Sequence, residues 1–389
     1  MIKRTDDGVL RLGRITKFLI LLYFVISFYE GYLNQILGAN TKYLLIGLIV
    51  LVCFQNTKIH FDRIELFLLL WISFKTISIL WAVGGHNNMV STQFLSLWAM
   101  ILFLIVITNK PMDSSYVDRI IICVQITSTS MAVLGLLKSE TYQYTNSARQ
   151  VLTLFNTQID PNDLSAFYIV GVVIGLDLLY EKKGYLALNL VSVIAGLVTI
   201  LMTGSRGGLV SVIALIMFIF ILSNKNKGVK KVVVNILIVS VIIVALYILV
   251  SKFVSTESLT RIFTIDDSKI GYTSGAGRLA LWKYGVSLFV QKPLIGWGWG
   301  GYNTLSVASH NTYLSMLLDT GIIGMVLFVI PMVMIYIRAF KSGKPLVILL
   351  LFAGLIPSFF IDAINKRFFW NGIILALIVL QSREDYLKN

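Results

Sequence analysis

The sequence predicts an all-α, polytopic membrane protein of about twelve spans, and three observations predict it. First, 57% of its 389 residues are hydrophobic and only 13% are charged, about half the charged share of an ordinary soluble domain. The mean hydropathy is +0.83. Second, apolar runs near the bilayer-spanning length of about 20 residues recur along the chain. Third, Lys and Arg gather in the short connections between those runs, as the positive-inside rule expects.

Taken in order, the expected spans are 18–36, 38–54, 64–83, 93–108, 117–137, 164–180, 185–203, 208–222, 232–250, 312–337, 345–361 and 367–380. A basic N-terminus (Lys3, Arg4, Arg11, Arg14, Lys17) leads into the first span. No small-residue cleavage site follows at a suitable distance, so a retained helix is expected rather than a removed signal peptide. With that terminus in the cytoplasm, the cytoplasmic segments hold about 20 of the 33 Lys and Arg residues. Short connections on the opposite side are nearly bare, and 84–92 has no Lys or Arg. An even number of spans then leaves both termini inside.

Three regions are expected: an N-terminal transmembrane bundle (1–250), an extracytoplasmic loop with helices (251–311) and C-terminal transmembrane helices (312–389). The long loop lies between the ninth and tenth spans, and a second polar stretch covers 138–163. Long connections in a chain of otherwise short ones are where function is expected.

Several classes are excluded. The net charge of +14 is accounted for by the basic connections, so no nucleic acid is implied. Cys53 and Cys123 both fall inside apolar runs, which argues against a disulfide or metal framework. No Walker A loop is present, so nothing points to ATP-driven work. No cofactor and no metal are expected.

Three basic side chains are candidates for chemistry. Arg206 sits in the short turn TGSRGG, just before a helix N-terminus, where glycines permit close approach and free N–H groups favour an anion. The alternative is an interfacial arginine reaching to headgroups. Arg278, in GRLALW, lies four positions before Trp282 at the start of an expected surface helix. His310 precedes Asn311 at the mouth of a span, and imidazole is the side chain best suited to accept a proton near neutral pH. Asn311 is equally suited to cap that helix. Guanidinium groups match phosphate oxygens in forked geometry, so two arginines and a histidine on one membrane face suit a lipid diphosphate and an attacking hydroxyl.

Trp282, Trp297, Trp299 and Tyr302 offer flat faces to sugar rings, or form an interfacial aromatic belt. Asp160 and Asn162 offer oxygen atoms to a substrate, although Pro161 reads first as a helix start. Lys75 is the one mid-span basic residue of note. A secondary transporter is the rival class, but transporters gather polar groups near the bilayer midplane, whereas most polar features here lie in the connections.

The motifs DPNDLSAF (160–167), TGSRGGLV (203–210), GRLALW (277–282), KPLIGWGWGGY (292–302) and HNTYLSMLLDTGIIG (310–324) occur in one order. In that order the chain resembles the bacterial O-antigen ligase and O-antigen polymerase superfamily. The resemblance has motif quality over about 150–330; before that, only the layout agrees. One departure is small: Asp319 stands where an acidic residue, often Glu, precedes the glycine of the last motif.

The resemblance implies a GT-C-like helical bundle in the bacterial cytoplasmic (inner) membrane, with the active site facing the extracytoplasmic side. It implies a metal-independent, inverting glycosyltransferase that moves glycan from an undecaprenyl-diphosphate-linked donor to a glycan acceptor. A flippase and a chain-length regulator are the implied partners beside the lipid bilayer. By motif, Arg206 and Arg278 bind the diphosphate and His310 helps activate the acceptor hydroxyl. A capsule, exopolysaccharide or O-antigen repeat-unit polymerase is the first expectation. Ligase-type transfer of finished glycan to lipid A core, protein or wall polymer is the alternative.

Overall fold

The computed structural model describes residues 3–4, 10–38, 40–53, 61–82, 88–110, 112–143, 149–224, 275–301 and 309–387. The described residues are mostly helical. The helices are α1 (Arg14–Leu37), α2 (Asn40–Cys53), α3 (Arg63–Ile77, extended by a 3-10 turn Ser78–Trp81), α4 (Asn88–Thr108), α5 (Ser114–Leu137), α6 (Pro161–Tyr180), α7 (Leu186–Met202) and α8 (Arg206–Asn224). After them come α9 (Gly275–Gln291), α10 (Thr312–Ser342), α11 (Pro345–Leu355) and α12 (Arg367–Leu387).

Each expected span except the ninth falls on one of these helices; 232–250 lies outside the described residues. Among the described residues, five segments are long and apolar enough to cross a membrane: α1, α3 with its 3-10 turn, α5, α6 and α10. α2, α4, α7, α8, α11 and α12 carry shorter apolar stretches. The protein is a helical membrane protein.

Helix ends follow local chemistry. At α3, Asp62 accepts from Arg63 N while Glu65 reaches back to Asp62 N at 3.0 Å, a reciprocal capping box. At α6, Asp160 accepts from Asn162 N at 2.8 Å and Pro161 fills the first turn, where its missing N–H costs nothing.

Strands β1 (Lys3–Arg4) and β2 (Leu10–Arg11) form a minimal antiparallel pair. The polar stretch 138–163 holds a small antiparallel sheet of β3 (Ser139–Thr141), β4 (Gln150–Leu154) and β5 (Thr157–Gln158), in that order. Phe155 and Asn156 both have positive φ (53° and 56°), the backbone of a two-residue hairpin turn whose twist matches its strands.

The chain divides into two compact units, Met1–Cys123 with Ile265–Asn389, and Val124–Thr264; the boundary falls within α5. In the first, α3 packs on α10, α11 on α12, α1 on α2 and α12 on α4. Trp71, Phe328, Phe369 and Trp370 stack in its interior with ring centroids 5.2–6.0 Å apart. Lipid tails are as apolar as these rings, so close packing rather than escape from water stabilises such contacts. Arg367 forks onto Glu30 at 2.9 and 3.3 Å.

In the second unit α6 packs on α7 and α8 through small residues. Gly171 N donates to Ser128 Oγ at 3.0 Å, and a Cβ at Gly175 would meet Asn189 O at 2.9 Å. Gln125 donates to Asn189 and Ser192 at 2.8 and 3.1 Å, the interhelical polar bonding expected where water is absent.

Candidate active site

The first unit places α9 against the start of α10. Arg278 and Trp282 are four positions apart, hence on one stripe of α9. The Trp282 indole N–H donates to Ser309 O at 3.0 Å, and Gly285 lies where a Cβ would come within 2.8 Å of the Leu314 side chain. Leu288, Leu314 and Leu318 close the contact, with Trp282, Phe289 and Trp297 packed around them. The arginine's helix face is thereby held beside the turn that carries His310.

That turn is conformationally unusual. His310 has φ 50°, in the left-handed region that non-glycine residues seldom adopt. The next residue, Asn311, is the N-cap of α10: its Oδ1 accepts from Tyr313 N at 3.0 Å and Leu314 N at 3.1 Å. Ser309 Oγ donates to Asn311 O at 3.0 Å and lies 2.9 Å from Ser315 Oγ. Ser315 Oγ in turn donates to Asp362 Oδ2 at 2.9 Å.

Asp362 lies in the connection between α11 and α12. Its carboxyl is pushed up to about 6 from the usual 3.8, chiefly by burial. The hydrogen bond from Ser315 opposes this, the Asp319 carboxylate adds to it, and the charges of Lys75 and Lys366 oppose it. A bond chain thus runs from the backbone of the histidine turn through two hydroxyls to a carboxyl that burial pushes up to about 6.

The segment KPLIGWGWGG docks on an interruption in α10. Gly321 has φ 63° and ψ −163°, which breaks the helix. The groups freed there are taken up by the segment: Trp297 N donates to Leu318 O (2.7 Å), Gly298 N to Asp319 O (2.9 Å), Ile322 N to Pro293 O (2.8 Å) and Ile323 N to Leu294 O (3.2 Å). Gly298, at φ 85°, passes so close to α3 that a Cβ would stand 2.5 Å from Ser78 O. Lys75 and Asp319 form a buried ion pair at this junction.

In the second unit Arg206 is the first residue of α8, after Gly204 with φ 57°. Arg149, 4% exposed, holds the turn: its Nε donates to Thr203 O at 2.8 Å and its Nη2 to Asn162 Oδ1 at 3.2 Å. Asn162 Oδ1 also accepts from Ser205 Oγ at 2.9 Å, and Gly208 N donates to Ser205 Oγ at 3.1 Å. Asp160 supports Asn162 Nδ2 at 3.0 Å.

The expected site residues therefore fall in two groups. Arg278, Trp282, Trp297, His310 and Asn311 lie together in the first unit; Asp160, Asn162 and Arg206 lie together in the second. Tyr302 lies outside the described residues. Trp297 sends its indole N–H to Leu288 O at 3.0 Å and packs under Lys292, while Trp299 is 2% exposed. Among the described residues no three His, Cys, Asp or Glu side chains cluster.

Sequence reasoning missed Asp362, Arg149 and the partner of Lys75. An acid standing alone in an apolar connection was the available signal for Asp362; the other two depend on long-range contacts that no local pattern encodes.

Among known families, residues 191–329 match the family model described as O-antigen ligase. The matched region contains Arg206, Arg278 and His310, and it supports the O-antigen ligase and polymerase superfamily. Such a family implies a glycosyltransferase-like membrane enzyme. A comparison with curated proteins finds no match.

Proposed function

We propose that this membrane protein transfers glycan from a polyprenyl-diphosphate-linked donor to a sugar hydroxyl at the extracytoplasmic face of the cytoplasmic membrane. The observation that carries the reading is the His310 turn. A histidine in a rarely adopted backbone conformation is held between the helix of Arg278 and the Ser309–Ser315–Asp362 chain. Backbone strain of this kind clusters where side chains are aimed for chemistry.

In the proposed reaction the acceptor oxygen attacks the anomeric carbon and the bond from that carbon to the diphosphate oxygen breaks. The configuration inverts, and the polyprenyl diphosphate leaves with the bonding pair. His310 takes the hydroxyl proton. Arg206 and Arg278 offset the charge gathering on the leaving group, an effect worth about 3–4 kcal/mol for each well-placed donor. No metal takes part. Trp282 and Asn311 act by fixing the turn, and Asp160 and Asn162 by fixing the approach to Arg206. Repeat-unit polymerisation is the favoured outcome of such transfer, with ligation of finished glycan as its alternative.

One observation favours a transporter: α10 is discontinuous and has a buried charged pair at the break, a feature of ion-coupled carriers. Here the freed backbone groups are occupied by the protein's own 293–298 segment, which leaves them no coupling ion to hold.

The test is purified protein incubated with a defined diphosphate-linked repeat unit. A product ladder supports polymerisation, and single transfer to an unlike acceptor supports ligation. Full transfer by all of Arg206→Ala, Arg278→Ala and His310→Ala would overturn the assignment of roles.

A further inference from the structure

Lys75 is 1% exposed in a helix long and apolar enough to cross a membrane, and Asp319 lies on α10 just before the break. Three segments meet on this pair. Asp319 Oδ1 accepts from Gly300 N at 3.0 Å, and the Lys75 ammonium stands 4.7 Å from the centroid of the Trp299 ring, a cation–π contact. One 3-10 residue joins them: Ser78 Oγ accepts from Trp299 N at 3.0 Å and donates to Lys75 O at 2.6 Å. A buried ion pair is in general a poor source of stability, because desolvation of both charges offsets their attraction and apolar replacements often serve as well. What this pair supplies is direction: an acceptor for one amide and a cation for one ring, both on the 296–301 segment. Its charges also act on Asp362, one end of the chain that reaches the histidine turn.

We propose that the Lys75–Asp319 pair is a positioning clamp for transfer, holding the 296–301 segment on the break in α10 and so fixing α9, with Arg278, against the start of α10, with His310. Neither residue need touch substrate. The effect on turnover rests on the transferase reading above; the clamp itself does not.

Two measurements on the full-length protein separate these. Hydrogen exchange over 292–301 reads the clamp, and transfer kinetics read its consequence. In Lys75→Met/Asp319→Asn, which removes both charges together, exchange of that segment should quicken about ten-fold while α6 and α7 stay as protected as before. The kcat should fall on the order of ten- to a hundred-fold with donor KM within about two-fold, the pattern of a misplaced group rather than a lost binding contact. The charge exchange Lys75→Asp/Asp319→Lys restores a pair but removes both the cation at the Trp299 ring and the acceptor for Gly300 N, so exchange should quicken at least as much as in the double variant, where the introduced amide oxygen still accepts. Ser78→Ala, which removes only the hydroxyl at Trp299 N, should show a smaller change in the same direction and serves if the charge variants do not fold. Unchanged exchange over 292–301 overturns the clamp, and faster exchange with unchanged kcat overturns its role in positioning. A loss confined to donor KM would place the pair's charge in binding, which also overturns it. If the wild-type protein transfers no diphosphate-linked glycan, the transferase reading fails, and exchange alone upholds or overturns the clamp.

Discussion

The indole N–H of Trp282 donates to the carbonyl oxygen of Ser309 at 3.0 Å, and the residue after that carbonyl is His310. One bond therefore ties the helix of one candidate group to the backbone of another. Trp282→Phe keeps the ring and removes the donor. The expected cost is about 1 kcal/mol in stability, with a larger proportional loss in kcat than in donor KM. Thermal unfolding in detergent and steady-state transfer kinetics check both halves.

At His310 the backbone and the side chain can be tested separately. Asn tolerates the left-handed region, so His310→Asn should unfold close to wild type yet transfer nothing. A β-branched residue is strained there, and His310→Val should unfold earlier by about 1–2 kcal/mol. Paired unfolding curves decide it; equal stability of the two variants would contradict the φ of 50°.

Asp362 should leave its mark on pH dependence. Its folded pKa, about 6, exceeds the usual 3.8. Between those values the folded protein keeps a proton that the unfolded chain releases. The contribution to stability is thus complete below about 3.8 and is lost as pH rises to about 6. Asp362→Asn should flatten that slope. Transfer, if it needs the ionised carboxylate, should rise through about pH 6 in wild type and lose this limb in the variant.

Gly298→Ala should be among the most damaging single-atom additions. The new methyl would sit 2.5 Å from Ser78 O and 2.6 Å from Ala82, on a backbone already at φ 85°. Strain of that kind costs about 1–3 kcal/mol before any steric shift is counted. A fall in unfolding temperature with loss of transfer is expected.

Arg149→Lys tests the second unit. A lysine keeps the charge but has no planar fork to serve Thr203 O and Asn162 Oδ1 together. A loss of about 1.5–3 kcal/mol, the range for hydrogen bonds to charged groups, is expected in unfolding. Transfer should drop alongside Arg206→Ala.

Much of this could be read from the chain. Apolar length marked the helices, and Asp160 with Pro161, and Asn311 at its helix mouth, marked where two of them begin. The break at Gly321 could not be read, because DTGIIG continues an apolar helical pattern and only the incoming segment 293–298 makes the interruption stable. Nor could the β3–β5 sheet, whose strands are short and carry mixed polar residues. Lys75 stood out as a charge in a span, but its partner is 244 positions away. Trp297 and Trp299 suggested sugar platforms by residue type alone; their indole contacts and burial come from the fold around them. Asp362 lacked any neighbouring motif.

The grip of Arg149 has a practical consequence for anyone wishing to graft new specificity onto this scaffold. One guanidinium staples the hairpin side of 139–158 to the Thr203 carbonyl and to Asn162 at the foot of α6. The hairpin and the SRGG turn therefore form a single cassette: a loop exchange between relatives that moves one and leaves the other would present Arg206 on a foundation not its own.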